Sequence, residues 1–171
     1  AALEAPYLDV PIFKLYKKRI IWLIILFVGE TLTIIAMSNF QKTLEQVLVL
    51  STFIPLIISS GGNSGSQAAT LIIQALALGE ITVKDWWRIA RREIFSGIFM
   101  GVTLGIFGFL IIYGGYQFFG LFGEYFIRIG FAIGIAIIGV VTWGTIVGSM
   151  LPLLLKRLGA HPATSSTPFI A

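Results

Sequence analysis

Residues 94–116 read IFSGIFMGVTLGIFGFLIIYGGY, without one charged side chain. As a helix at 1.5 Å per residue this stretch is about 35 Å long, enough to cross a hydrocarbon core about 30 Å thick. It is preceded by Lys84, Arg88, Arg91 and Arg92, with Trp86 and Trp87 among them, a mixture suited to a membrane–water interface. Working outward, similar apolar stretches cover about 20–38, 46–79 and 126–155. The chain as a whole is 57% hydrophobic and 12% charged, whereas soluble domains carry about 25% charged residues. A soluble domain is excluded. The expected fold is an all-α polytopic membrane protein: a lead-in over 1–19, then a membrane domain over 20–171 with four crossings and the start of a fifth. Gly makes up 19 of the 171 residues, as helices that associate by close packing in lipid require.

Lys and Arg in short loops set orientation. Lys14, Lys17, Lys18 and Arg19 precede the first span, Lys84, Arg88, Arg91 and Arg92 separate the second from the third, and Lys156 and Arg157 follow the fourth. With four crossings all ten fall on one side, leaving only Lys42 and Arg128 on the other. The N-terminus and the tail are therefore expected in the cytoplasm, and the net charge of +4 is a topology signal that implies no nucleic-acid partner. Lipid headgroups are the expected contacts of Arg88, Arg91 and Arg92. The chain starts at Ala1 and stops at Ala171, where a new apolar stretch begins, and reads as an excised piece.

The absence of Cys removes thiolate metal sites and Cys nucleophiles. The sequence has no intramembrane Asp pair, no His-rich motif and no phosphate loop, so an enzyme is not expected. His161, beside Pro162, reads as a solvated loop residue. Chemistry concentrates instead in 46–79. As one helix this stretch would be about 50 Å long, so it is tilted, protruding or broken. The break point would be Gly61-Gly62-Asn63-Ser64-Gly65, where Gly eases unwinding, with Pro55 removing a further backbone bond. If the helix is continuous, Ser59, Asn63, Gln67, Thr70 and Gln74 form one neutral polar stripe, and Gly61, Gly65 and Ala69 a small-residue stripe beside it. The polar stripe reads either as the lining of a pathway or as hydrogen-bonding glue between helices. Glu30, the acidic residue deep in the first span, reads either as a cation-attracting or proton-carrying group, or as a structural carboxyl near Thr31 and Thr33. Gly97, Gly101, Gly105 and Gly108 share one face of the third span. Gly130, Gly134, Gly144 and Gly148 make two Gly-x-x-x-Gly pairs in the fourth, with Thr142, Thr145 and Ser149 nearby. These read as packing surfaces.

Phe53-Ile54-Pro55-Leu56 followed by Gly61-Gly62-Asn63-Ser64-Gly65-Ser66-Gln67 resembles the membrane domain of the MgtE family of magnesium channels. Leu76-Ala77-Leu78-Gly79-Glu80, Lys18-Arg19-Ile20-Ile21-Trp22-Leu23 and Gly29-Glu30 extend the similarity, which runs from Tyr7 onward. The resemblance implies a five-helix domain that pairs as a homodimer around a central pore in the cell membrane, binding hydrated Mg²⁺ as transported ion and pore ligand. The metal-binding positions it implies are Gly61, Gly62, Asn63, Gly65 and Gln67 in the second helix, with Thr167 and Ala171 in the fifth. Ser59, Thr70, Gln74 and Glu30 would line the path. The family also has cytoplasmic regulatory domains before the membrane domain, and these are absent from this chain. His161 stands where the family usually has Asp, Thr167 where some members have Asn, and the family's pore Asp would come about four residues after Ala171, on the same helix face. Mg²⁺ holds its waters tightly and is bound through them with few carboxylates, which a wall of amides, hydroxyls and carbonyls suits. The alternatives are one half of an ion-coupled secondary transporter, with 61–65 as a discontinuous helix, and a non-transporting membrane anchor or assembly subunit.

Overall fold

The structure, a computed structural model, describes residues 10–41 and 48–159, the side chains of Lys18 and Trp22 excepted. Four long helices follow one another: α1 (Ile12–Asn39), α2 (Leu48–Leu78), α3 (Trp86–Phe119) and α4 (Phe126–Arg157). Each is long and apolar enough to cross a membrane, and among the described residues there is no strand. The protein is an all-helical integral membrane protein. Two helices exceed their apolar stretches. Helix α1 begins right after Pro11, in the basic lead-in, because Lys and Arg are good helix formers and Lys17 lays its ammonium over the Phe13 ring, 5.0 Å from its centroid. Helix α3 begins at Trp86, where the Thr82 amide and hydroxyl donate to the Asp85 carboxylate at 2.8 and 2.7 Å and fix the preceding turn.

Helix α4 is the axis on which α2 and α3 pack. Between helices in lipid there is little hydrophobic driving force, so close packing and hydrogen bonds must hold them. Glycine supplies the closeness. Along α4, Gly144 faces the Gly61 carbonyl and Gly148 the Gly65 carbonyl, so α2 and α4 run parallel. On the α3 side, Gly97 faces Thr142 and Thr145, Gly101 faces Ile138, and Gly105 faces Gly134, so α3 and α4 run antiparallel. Gly97, Gly101, Gly105 and Gly108 are all buried, as packing surfaces should be. Ile112, Ile129, Ile133, Ile137 and Val141 form a buried cluster here, with Phe53 and Ile57 of α2 against it. A second cluster, Ile72, Leu76, Ile89 and Leu153, joins all three helices farther along. The C-terminus of α2, the N-terminus of α3 and the C-terminus of α4 thus share one end. There Lys156 Nζ donates to the Leu76 carbonyl at 3.5 Å, meeting an acceptor that the ending helix leaves unpaired.

Helix ends follow backbone chemistry. Gly79 (φ +74°) and Gly120 (φ +64°) take the left-handed conformation that stops α2 and α3. At the second stop the Gly120 and Leu121 amides donate to the Tyr116 and Gly115 carbonyls at 3.1 and 3.2 Å. Helix α1 has no buried residue among those whose side chains are described.

Candidate functional site

The glycine-rich string does not break its helix. Helix α2 is continuous from Leu48 to Leu78, with Pro55 inside it. The physical reason lies in α4. The Gly61 and Gly65 backbones are pressed against Val140, Gly144 and Gly148, and a helix keeps its peptide groups bonded within itself where water is absent. Ser64 adds a bond across the contact, its hydroxyl donating to the Val141 carbonyl at 3.1 Å.

Closing that contact turns the rest of α2 outward. Gly61, Ser64, Gly65, Ala68, Ala69, Ile72 and Leu76 are buried, whereas Ser59, Asn63, Gln67, Thr70 and Gln74 are all exposed. The five polar residues form one open face. Asn63 and Gly62 border a cavity of about 520 Å³ together with Ile54, Pro55, Ser59 and Ser66. Pro55 contributes by more than its shape: its missing N–H leaves the Ser51 carbonyl without its helix partner. The Asn63 amide donates to Ser59 Oγ at 3.4 Å, a long bond. The Thr70 hydroxyl donates to the Ser66 carbonyl at 2.8 Å, and that of Ser60 to Leu56 at 2.7 Å. The Gln67 and Gln74 side chains make no hydrogen bond among the described residues. The face is neutral, and no three His, Asp or Glu side chains gather to hold a bare metal ion among the described residues. Such a surface can offer amide and hydroxyl groups to the water shell of an ion.

Of the residues singled out in the sequence, the structure brings Ser59, Gly62 and Asn63 together at the cavity and puts Gln67, Thr70 and Gln74 on the same face. Gly61 and Gly65 lie on the α4 side of the helix. Glu30 is exposed on α1. Thr31 does not engage it, since the Thr31 hydroxyl donates to the Phe27 carbonyl at 3.3 Å, and the Glu30 carboxyl makes no hydrogen bond among the described residues. Thr167, Ala171 and His161 lie outside the described residues. Thr145 and Ser149 are fully buried: Thr145 Oγ1 donates to the Thr142 carbonyl at 2.8 Å and approaches the Glu93 carbonyl at 3.3 Å, and Ser149 bonds Ile146 at 3.0 Å. They pack rather than line an opening. Ser66 is the cavity residue that the stripe omitted, although it stands one helical turn from Gly62 and Asn63 and shares their face.

Residues 54–171 match the family model MgtE, described as a divalent cation transporter. The magnesium transporter MgtE of Thermus thermophilus is 34% identical over 157 residues, covering 92% of this chain and 33% of the relative. Its namesake in Enterococcus faecalis is 31% identical over 158 residues, with the same coverage of each chain. That of Bacillus subtilis is 28% identical over 153 residues, 90% of this chain and 32% of the relative. The chain spans about a third of the length of the relatives it matches. By the extent of the family match, over more than half of its length, the chain belongs to the MgtE family of divalent cation transporters.

Proposed function

We propose that this chain forms the membrane part of a magnesium transporter, and that the open polar face of α2 lines the path of the ion. The supporting observation is the division of α2 into a buried small-residue face and an exposed polar one. Amides and hydroxyls facing hydrocarbon without partners are unfavourable. The polar face therefore needs a polar cover, and a second copy of the chain, related by a twofold axis, would place two such faces opposite each other. The water between them carries Mg²⁺ with its hydration shell, held by Asn63, Ser59 and Gln67 through that shell. Charge for the site comes from outside the described part of α2, whose face is neutral. The basic end, where Lys156 and Arg157 meet the start of α3, faces the cytoplasm.

A secondary transporter built on a discontinuous helix needs a break at 61–65, and α2 has none. A mere assembly subunit would use the polar stripe as glue, but the contact between α2 and α4 is made on the other face.

The test is Mg²⁺ uptake by liposomes containing the full-length protein, read with an internal Mg²⁺ dye. Asn63→Ala is expected to lower uptake about tenfold, the size seen when a group acting on a metal through an intermediate ligand is lost. Unchanged uptake with an intact fold would remove α2 from the path.

A further inference from the structure

Away from the polar face of α2, the flank of α4 beside the start of α3 carries an open groove of about 490 Å³, within the size range of small-molecule sites. Val83 and Trp86 form one wall, and Met150, Leu151 and Leu154 the other. Arg157, the last residue of α4, is the one charged residue lining it. Its side chain is exposed and makes no hydrogen bond or ion pair among the described residues. Trp86 is 53% exposed and packs edge-on against Trp87, ring centroids 5.5 Å apart, an aromatic pair suited to headgroup level.

These features define an occupant. A groove with apolar walls on a membrane-facing helix accommodates an acyl chain, and a guanidinium at its polar end matches a phosphate in fork geometry. We infer that the groove holds one anionic glycerophospholipid, an acyl chain against Met150, Leu151 and Leu154 and the phosphodiester on Arg157. The neighbouring Lys156 and the basic residues at the start of α3 add to the potential that favours an anionic over a zwitterionic headgroup. Residues 158–171, which follow α4, contain no Asp or Glu to compete with a phosphate for Arg157.

The experiment is native mass spectrometry of the detergent-purified full-length protein titrated with phosphatidylglycerol and with phosphatidylcholine. Wild type is expected to retain phosphatidylglycerol about fivefold better, the effect of one basic side chain near an anionic surface. Arg157→Gln should equalise the two lipids, Arg157→Lys should keep most of the preference, and Met150→Trp should lower retention of both. A photoreactive residue at position 150, in protein embedded in lipid, should label lipid; this readout stands even if Arg157→Gln does not fold. Equal retention by wild type, an unchanged preference in Arg157→Gln, or labelling of the protein's own following segment would each overturn the inference. Asn63→Ala should keep the lipid preference, which separates this site from the ion path.

Discussion

The two faces of α2 share a spacing and differ in almost everything else. Gly61 and Gly65 repeat every four residues, as do Ser59, Asn63 and Gln67. On the first face a Cβ added at Gly61 would meet the Val140 side chain and, at 3.1 Å, the Val140 carbonyl. On the second the side chains are open and partly without partners. The same helical period therefore serves two ends: one face fixes the helix in the bundle, while the other carries polar groups that the bundle does not use. Stability should track the first face and ion handling the second.

The largest expected effect comes from closing the space at the contact. Gly148→Ala puts a methyl group against the Gly65 carbonyl, which is backbone and cannot swing aside. Overpacking of this kind costs about 1–3 kcal/mol, read as a lowered midpoint in thermal unfolding of the solubilised protein. An unchanged midpoint would break the comparison at its stronger side. Next, Asn63→Ala should leave the midpoint without Mg²⁺ within about 0.5 kcal/mol of wild type, since exposed substitutions rarely do more. It should weaken the Mg²⁺-dependent rise in stability that binding to the folded state produces. A large loss without Mg²⁺ would mean that the polar face is structural.

Smaller effects sharpen the picture. Ser64→Ala removes the buried side-chain hydrogen bond between α2 and α4 and should cost about 0.6 kcal/mol, the usual value between membrane helices. On the α3 side, Gly105→Ala should destabilise more than Gly134→Ala. A Cβ at Gly105 would lie 3.0 Å from the Gly134 carbonyl, whereas one at Gly134 meets nothing nearer than 3.5 Å. Gly139→Ala, with nothing within 4 Å, should cause no loss at all. If Gly139 and Gly105 respond alike, glycine acts here through helix propensity and not through close approach.

Much of this molecule was legible in its residues. Four apolar stretches separated by polar turns required four helices, since lipid accepts no exposed backbone. Gly97, Gly101, Gly105 and Gly108 announced a close-packed face, and the structure buries all four. The polar stripe of α2 was also readable as a stripe. What residues alone left open was the state of the Gly61–Gly65 string, because glycine permits unwinding and close helix packing equally well.

Composition and period by themselves thus determined the class of protein, the number of spans among the described residues, the polar stripe of α2 and the small-residue faces of α2, α3 and α4. The tertiary structure decided which face meets which neighbour. Gly144 and Gly148, about eighty residues beyond Gly61 and Gly65, hold α2 intact, bury those two glycines and leave Asn63 at an open cavity. That choice rests on contacts between segments far apart in the chain, and local propensity carries no information about them.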